Sequence, residues 1–458
     1  MKRLSLFFLL ISNLVFAGSN FIVNSTGDSP DSVLNGSCST GATIGGQPEC
    51  TLRAAIQEAN NTTGSLISFN ITNGCDVNNI CTININTATS RLPDITSQVA
   101  INGLTQLGNS SLCGMDIPSR SNYHVVIQGD GVDIGLRLES GSSGSTISGL
   151  NIRGFFNNLA IINSSNNTIE CNFIGTDETG MQVALNNNSN GIVLGCTATN
   201  NIIGGTSASK GNLISGHQVD GIQFYGGFSC NPEFNEPHSN SIVGNFIGTF
   251  KDGVTSAGNI YTGVSFFGGV ANNNWIGAVS GSNTISPNVI SANGTGIYID
   301  SMDNLVIRGN YIGTDVTGTE RIGNTYGGIE IVNGTNIEVG NPDSPLFANT
   351  IAYNDNGVML TGASAANNHI ERNSMYGNKN QAIEIIRDNS FTNDGQNPND
   401  ADDADTGANL LMNTVEILDY QTSYDEFLMT YILDITASID ASDTNAAYPL
   451  WITFYSTD

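Results

Sequence analysis

The chain has 458 residues, of which 53 are glycine, and only 12 % of its side chains belong to charged residue types. Its 14 lysine and arginine residues stand against 41 aspartate and glutamate residues, so the formal net charge is −27 at pH 7. This balance argues against nucleic acid and anionic membrane surfaces as partners, because both are bound through lysine and arginine.

The first residues predict export. Lys2 and Arg3 precede an apolar run over residues 4–16, and Ala17 with Gly18 offers small side chains for cleavage. A basic end, a short apolar core and a small-residue exit are typical of a secretory signal peptide, which we assign to residues 1–17. The run is too short to span a bilayer as a helix, and a retained anchor is the alternative. We expect a secreted or cell-surface bacterial protein with no membrane span.

Residues 18–120 predict an N-terminal α/β cap. Within it, residues 50–60 read CTLRAAIQEAN, and their apolar side chains recur at helical spacing with Thr51 as the N-cap. A strand over residues 66–71 follows directly. A helix and a strand placed before the first repeat would close the end of a solenoid, which otherwise exposes apolar side chains and unpaired backbone groups.

Three repeated units organise residues 121–390. The first reads Asn-Phe-Ile-Gly-Thr or a variant of it, and begins at Asn172, Asn245, Asn310 and Asn373. The second has asparagine two residues before isoleucine, at Asn212, Asn288 and Asn349. The third is a short strand that opens with glycine, at Gly191, Gly221, Gly263, Gly296, Gly328 and Gly357.

Each unit alternates apolar and polar residues over a few positions, which is typical of a strand with one buried face. One such strand cannot bury its apolar face alone, so the units predict stacked coils, as in a solenoid. The fold class is therefore an all-β right-handed parallel β-helix. The asparagines that open the first unit should form a scaffold ladder, each side-chain amide bonding to the next coil. A propeller would need longer strands in each blade, and a leucine-rich horseshoe would need regularly spaced leucine. The sequence has neither pattern.

The segment Cys-Thr-Leu-Arg-Ala-Ala-Ile at residues 50–56 resembles the Cys-Ser-Leu-Arg-Glu-Ala motif of a family of exported bacterial β-helix proteins. Similar family patterns occur at residues 92–96, 101–106 and 203–206, and in the Gly-Asn-Phe-Ile-Gly-Thr unit. The likeness covers about residues 20–410. It implies a right-handed β-helix on a secreted or cell-surface protein. The departure is Ala54, which stands where the motif has glutamate and removes a possible ion-pair partner of Arg53.

Eight cysteines in an exported chain predict disulfides rather than thiol chemistry. Their connectivity does not follow from spacing alone. The first two pairs that we predict close short loops and the third joins neighbouring coils: Cys38 with Cys50, Cys75 with Cys81, and Cys171 with Cys196. Cys113 and Cys230 remain, and a catalytic thiol is an alternative that lacks a paired histidine nearby.

The candidates for catalysis are carboxylates near the repeat strands. Asp300 and Asp303 follow one glycine-led strand, and Glu330 occupies an outward position of a related strand, as does Glu384. Two suitably separated carboxylates can hydrolyse a glycoside. Aspartates at strand ends are also common turn formers, and the same repeat position holds Asp177 and Asp315, which favours a turn role for those two.

Other enzyme signatures are weaker. His217 stands in Gly-His-Gln rather than the Gly-His-Gly of a polygalacturonase-like site, and the chain has no Arg-x-Lys. Arg308, Arg372 and Arg387 are conceivable lyase bases, but we expect them to solvate an outer face. The chain has no His-Glu-x-x-His or Cys-x-x-Cys spacing for zinc. Aromatic residues that could form a sugar-stacking shelf, several of which must belong to the core, are Tyr225, Phe228, Tyr261, Phe266, Phe267 and Tyr298.

After the repeats, residues 391–408 form an acidic linker. Asp400, Asp402 and Asp405 lie close enough in sequence to hold Ca²⁺, the one cofactor that the sequence suggests, and a solvated linker is the alternative. Residues 409–458 are richer in aromatic and β-branched residues and predict part of an antiparallel β domain.

Together these features predict an exported β-helix protein for adhesion or glycan binding without catalysis. The alternative is a polysaccharide lyase or glycoside hydrolase. In either case, the expected partner is an extracellular polysaccharide or a cell-surface glycan.

Overall fold

The computed structural model describes residues 18–85, 91–107, 109–226, 236–267, 273–280, 285–341, 344–387, 394–395, 397–401, 406–412, 416–425 and 430–439. The predicted signal peptide lies outside these residues. The described chain is a right-handed parallel β-helix, as the repeats predict, with one α-helix near its start.

Three parallel sheets form the walls of the solenoid. The first sheet contains β1 (Asn20–Val23), β4 (Ser65–Phe69), β6 (Val99–Asn102), β9 (Thr146–Ser148), β12 (Thr168–Glu170), β15 (Ile202–Gly204), β18 (Ser241–Val243), β21 (Trp275–Ile276), β24 (Val306–Ile307), β27 (Glu338–Gly340) and β30 (His369–Glu371). The second contains β5 (Cys81–Asn84), β7 (Val125–Gln128), β10 (Asn151–Arg153), β13 (Phe173–Ile174), β16 (Leu213–Ile214), β19 (Phe246–Ile247), β22 (Val289–Ile290), β25 (Tyr311–Ile312), β28 (Thr350–Ala352) and β31 (Ser374–Tyr376). The third contains β8 (Ile134–Leu138), β11 (Asn157–Ile162), β14 (Ile192–Gly195), β17 (Asp220–Tyr225), β20 (Thr262–Phe267), β23 (Thr295–Asp300), β26 (Gly327–Val332), β29 (Asn356–Thr361) and β32 (Ile383–Ile385).

The interior is built from columns of aliphatic side chains in register. In the first sheet, for example, Ile169 pairs with Ile203, which pairs with Ile242 on the next coil. All three are at most 1 % exposed. Burial of one such side chain contributes about 1.5–3 kcal/mol, so the stacked columns are the main source of stability.

The predicted asparagine ladder is confirmed, and it has twice as many steps as the first repeated unit implies. The Asn172 side-chain nitrogen donates to the Asn212 amide oxygen (3.1 Å), and Asn212 donates to Asn245 (2.9 Å). The first and second repeated units therefore occupy the same corner of alternate coils. The ladder continues in the order Asn245, Asn288, Asn310, Asn349 and Asn373.

The N-terminal helix α1 (Leu52–Asn60) begins as the sequence predicts, because the Thr51 hydroxyl accepts a hydrogen bond from the Ala54 backbone N–H. Arg53 forms an ion pair with Asp28 (2.6 Å). Ala54 is fully buried, so a glutamate there would bring a carboxylate out of water at high cost. Strands β1, β4 and β6 belong to the first sheet, so parallel stacking already begins in this segment.

Two predicted disulfides are confirmed and one is wrong. Cys38 pairs with Cys50 and Cys75 with Cys81, but Cys171 pairs with Cys113 instead of Cys196. Cys171 lies between β12 and β13, where the chain passes from the first sheet to the second. Cys196 follows β14 of the third sheet, so 25 residues place it at a different corner of the coil. Cys196 is itself disulfide-bonded, and Cys230 lies outside the described residues.

Short antiparallel pairs complete the described structure. Strands β2 (Thr43–Ile44) and β3 (Gln47–Pro48) form a small hairpin near the N-terminus. Strands β33 (Glu416–Asp425) and β34 (Thr430–Ser438) pair antiparallel, as predicted for the C-terminal segment. Short 3₁₀ turns occur at Gly103–Thr105, Leu112–Gly114, Ile117–Ser119, Ala208–Lys210 and Pro345–Phe347.

Candidate functional site

The outer surface of β17, β20, β23 and β26, which we call the third-sheet face, combines aromatic rings with carboxylates. Alternation along β17 turns Ile222 and Phe224 inward, where both are buried, and leaves Gln223 and Tyr225 on the outside. Parallel register repeats this choice on every coil, so Gln223, Ser265, Tyr298 and Glu330 form one outward row. The face is therefore a direct consequence of the glycine-led repeat.

Three half-buried aromatic side chains follow one another across this face. Tyr225 is in register with Phe267 on the next coil. The Phe267 ring lies 5.3 Å from the Tyr298 ring, measured between centroids, at an interplanar angle of 38°. Rings in this arrangement present apolar surface beside a polar hydroxyl, which suits ligands that carry both C–H and O–H groups.

Two exposed tyrosines stand at the edge of the same face. Tyr261 precedes β20 and Tyr326 precedes β26, and each is 61 % exposed. Strand spacing puts them about 10 Å apart along the solenoid. Gly294 occupies the corner of the coil between them, where a Cβ would lie 2.3 Å from the Tyr261 carbonyl oxygen, so glycine allows the two coils to stack closely.

Of the other aromatic residues in the predicted shelf, Phe266 belongs to the core. It is fully buried and stacks on Phe224 at a centroid distance of 4.4 Å. Phe228 lies outside the described residues. Four of the six predicted shelf residues, Tyr225, Tyr261, Phe267 and Tyr298, therefore lie on or beside the third-sheet face.

Two buried carboxylates lie among these rings. Asp220 is 1 % exposed and accepts hydrogen bonds from the Ser265 hydroxyl (2.6 Å), the Gln223 side-chain amide (3.1 Å) and the Thr262 backbone N–H (3.0 Å). Glu330 is 9 % exposed and accepts a hydrogen bond from the Thr295 hydroxyl (3.0 Å). Burial raises the pKa of both carboxyl groups, because it penalises the charged form.

Tyr298 connects the rings with the carboxylates. Burial and the nearby negative charges of Asp300 and Glu330 raise the pKa of its hydroxyl to about 12. The hydroxyl is therefore protonated at neutral pH and can donate a hydrogen bond to a ligand.

The structure brings two of the three candidate catalytic carboxylates together. Asp300 ends β23 and Glu330 lies on β26, and both carboxylates are near enough to the Tyr298 hydroxyl to raise its pKa. Asp303 lies beyond the end of β23, where its carboxylate accepts a hydrogen bond from the Thr335 hydroxyl on the next coil. Asp303 thus joins two coils at the corner after β23 and does not belong to the third-sheet face.

Asp220 was not predicted from the sequence, although a signal for it exists. The glycine-led units have threonine before glycine at Thr262 and Thr295, the residues in register with Asp220. The other units have Asn190, Gly327 and Asn356 there, so Asp220 is the one acidic residue that precedes the glycine of a repeated unit, and this departure marks it.

The turn role predicted for the repeated aspartates is confirmed. Asp177 accepts hydrogen bonds from the backbone N–H groups of Met181 and Gln182, at 3.1 and 3.2 Å. Asp315 does the same with Thr319 and Glu320, again at 3.1 and 3.2 Å.

The basic candidates lie away from the third-sheet face. Arg308 is stacked between Trp275 and Phe347 and pairs with Glu338 of the first sheet. Arg372 is exposed at a corner and Arg387 pairs with Asp394, so neither contacts the face. Strands β17, β20, β23 and β26 contain no lysine, arginine or histidine. The face therefore offers carboxylates, hydroxyls and rings but no cation.

His217 belongs to the scaffold. It is 1 % exposed, and its Nδ1 lies 2.8 Å from the Asn259 amide oxygen. Its Nε2 lies 2.9 Å from the Asn158 side-chain nitrogen. His217 thus takes an asparagine position in a second ladder, which continues through Asn259, Asn293, Asn324, Asn354 and Asn378.

The predicted calcium ligands are only partly described. Asp400 lies within the described chain, whereas Asp402 and Asp405 lie outside the described residues. In the part that the structure describes, no three His, Cys, Asp or Glu side chains come together in a way that could hold a metal. Nor does any helix among those residues have the length and hydropathy to cross a bilayer.

Comparisons with known proteins find similar folds at low identity. An alginate lyase from Paenibacillus sp. str. FPU-7 is 14 % identical, with a TM-score of 0.30, and covers 72 % of this chain and 97 % of its own. The surface adhesin PfbA of Streptococcus pneumoniae is 11 % identical over 82 % of this chain and 91 % of its own, with a TM-score of 0.32. The A-module of the mannuronan C-5 epimerase AlgE6 of Azotobacter vinelandii is 10 % identical over 71 % of this chain and 82 % of its own, with a TM-score of 0.31. No family model and no curated protein matches the chain.

Proposed function

We propose that this chain is an exported β-helix protein that binds an extracellular polysaccharide along its third-sheet face without cleaving it. The observation that carries the proposal is the run of outward rings at Tyr225, Phe267 and Tyr298 on three successive coils. Sugar rings have apolar C–H faces that pack on aromatic side chains, and their hydroxyls pair with carboxylates and amides. Gln223, Glu330 and Asp300 supply such polar groups beside the rings.

The charge of the face favours a neutral polysaccharide over an acidic one. Asp220, Asp300 and Glu330 lie on or beneath it, and its four strands carry no cation. The whole chain has a net charge of −27, so an anionic polymer would be repelled on approach. The face also repeats at about 4.8 Å per coil, which suits a polymer of repeating units.

We also propose that the chain is secreted or displayed on the cell surface. The same proposal assigns it to the family of exported β-helix proteins that carry the Cys-Ser-Leu-Arg-Glu-Ala motif. The signal sequence at residues 1–17 supports export. So do the disulfides Cys38–Cys50, Cys75–Cys81 and Cys113–Cys171, because such bonds persist in oxidising compartments.

The test is calorimetric titration of soluble neutral polysaccharides into the chain from Gly18 onward. Tyr298→Ala should weaken binding of the polysaccharide that binds wild type by tenfold or more, because it removes the ring between Phe267 and Glu330. Tyr420→Ala is the matched control, since Tyr420 is 69 % exposed on β33 and should leave affinity unchanged. Far-ultraviolet circular dichroism confirms that both variants fold. Equal affinity of the two variants would contradict the third-sheet face as the site.

Cleavage is the second candidate, because the third-sheet face holds two buried carboxylates. Burial raises the pKa of both Asp220 and Glu330, which is the direction of shift that general-acid catalysis by a carboxyl group requires. Shortening of the polymer by wild type but not by Glu330→Gln would establish this alternative.

A further inference from the structure

The last coil of the solenoid contains a second group of buried polar atoms, on the same sheet as the proposed binding face but two coils beyond its last strand, β26. Glu384 lies on β32, in register with Met359 of β29, and is fully buried. Its Oε1 accepts hydrogen bonds from the backbone N–H groups of Asp394 (3.2 Å) and Gly395 (3.1 Å). Its Oε2 is also buried and has no hydrogen-bond partner. One carboxylate oxygen is thus held in place by two backbone N–H groups, while the other has no hydrogen-bond donor.

Two further side-chain oxygens in this region are also buried and lack a hydrogen-bond donor. Asp394 accepts a hydrogen bond from Arg387 Nε at its Oδ2 (2.9 Å), and its Oδ1 is buried without a partner. The Asp394 and Glu384 carboxyl groups lie within hydrogen-bonding reach of each other, so Asp394 Oδ1 and Glu384 Oε2 lack a partner when both groups are ionised. Asn397 is 9 % exposed and donates its side-chain N–H to the Ile385 carbonyl (3.1 Å), which leaves its amide oxygen buried and unpartnered.

Such a group is costly without a ligand. A buried polar atom left unpaired costs about 1–3 kcal/mol, and few occur in native structures. Two carboxylates in contact add charge repulsion, because both cannot ionise at low cost. Carboxylate and amide oxygens are the ligands that Ca²⁺ prefers, and a divalent cation removes both penalties at once.

We propose that Glu384, Asp394 and Asn397 bind one Ca²⁺ ion, which fastens Asp394 and Asn397 to the last coil. Two of these ligands lie in the same Asn/Asp-rich stretch that the sequence marked for calcium at Asp400, Asp402 and Asp405. The set contains two carboxylates and one amide, so it differs from a site of three acidic side chains. Its effect is on the stability of this end of the solenoid and is independent of polysaccharide binding.

A proton shared between Glu384 and Asp394 is the competing explanation. It would relieve the repulsion between the two carboxylates, but it would leave the Asn397 oxygen unpaired. The two explanations differ in whether Ca²⁺ changes the stability of the protein.

The experiment is calcium titration of the chain from Gly18 onward by calorimetry in 150 mM salt, with thermal unfolding in Ca²⁺ and in a chelator. Salt suppresses diffuse binding to the acidic surface. We expect one ion per chain in the tightest class of site and a higher unfolding temperature in Ca²⁺. Glu384→Gln and, separately, Asp394→Asn should each weaken that site tenfold or more, and Asn397→Ala should weaken it several-fold.

Asp355→Asn is the matched control, because it removes one carboxylate that pairs with Lys379 on the next coil. It should bind Ca²⁺ as wild type does. The proposal is overturned if Asp394→Asn and Asn397→Ala, shown to fold by circular dichroism, keep wild-type calcium affinity. It is also overturned if wild type shows no tight site and unfolds at one temperature with or without chelator, which is the result for a shared proton.

Discussion

Replacement of Asn245 by alanine is expected to lower the free energy of unfolding by about 3–5 kcal/mol. The Asn245 amide oxygen accepts hydrogen bonds from both the backbone N–H and the side-chain nitrogen of Asn212, each at 2.9 Å. Its nitrogen donates to Asn288 (3.0 Å) and to the Ile203 carbonyl (2.8 Å). Alanine would leave these groups buried on two neighbouring coils with no water to replace the lost partner.

Equilibrium unfolding in urea measures this effect. Asn78→Ala is the control, because Asn78 is exposed in a loop outside the ladder, and its effect should stay within about 0.5 kcal/mol of wild type. If Asn245→Ala were as stable as Asn78→Ala, the ladder would not contribute to stability as we propose.

Acid is expected to destabilise the protein through His217. Burial lowers the pKa of this imidazole from 6.5 to about 4, and the hydrogen bond with Asn259 opposes the shift only in part. The unfolded chain therefore binds a proton at higher pH than the folded chain does. The contribution of His217 to the free energy of unfolding is fully present above pH 6.5. It falls as the pH drops toward 4, with a total loss of about 3 kcal/mol from this group.

The variant His217→Asn separates this loss from the titration of carboxylates elsewhere. Asparagine occupies the equivalent position in the next coils, so it can continue the ladder without a proton to bind. We expect wild type to lose about 3 kcal/mol more than His217→Asn between pH 7 and pH 4, measured by urea unfolding at both pH values. Identical losses in the two proteins would show that His217 does not stay neutral when folded.

The solenoid could be predicted because its causes are local and repeated. Alternation fixed the inward columns such as Ile169, Ile203 and Ile242, and Thr51 marked the start of the helix. Which repeated units stack on one another could not be predicted as well, because the coils vary widely in length. Neighbouring ladder positions are 40 residues apart from Asn172 to Asn212 but 22 apart from Asn288 to Asn310.

The same variation explains the errors in the predicted site and disulfides. Sequence separation does not say at which corner a residue lies, so Cys171 was paired with Cys196 instead of Cys113. Asp300 and Asp303 looked alike in sequence, yet only Asp300 lies beside Tyr298. Asp220 and Glu330 lie on strands three coils apart, and their shared face became evident only from the register of the third sheet.

The most direct test of the central claim is to incubate the chain from Gly18 onward with a panel of neutral and acidic polysaccharides. Binding is measured by co-sedimentation and polymer length by size-exclusion chromatography, each with and without Ca²⁺. We predict retention of the protein on at least one neutral polysaccharide with no change in polymer length. Shortened polymer would identify an enzyme instead, and failure to bind any member of the panel would contradict a polysaccharide-binding face.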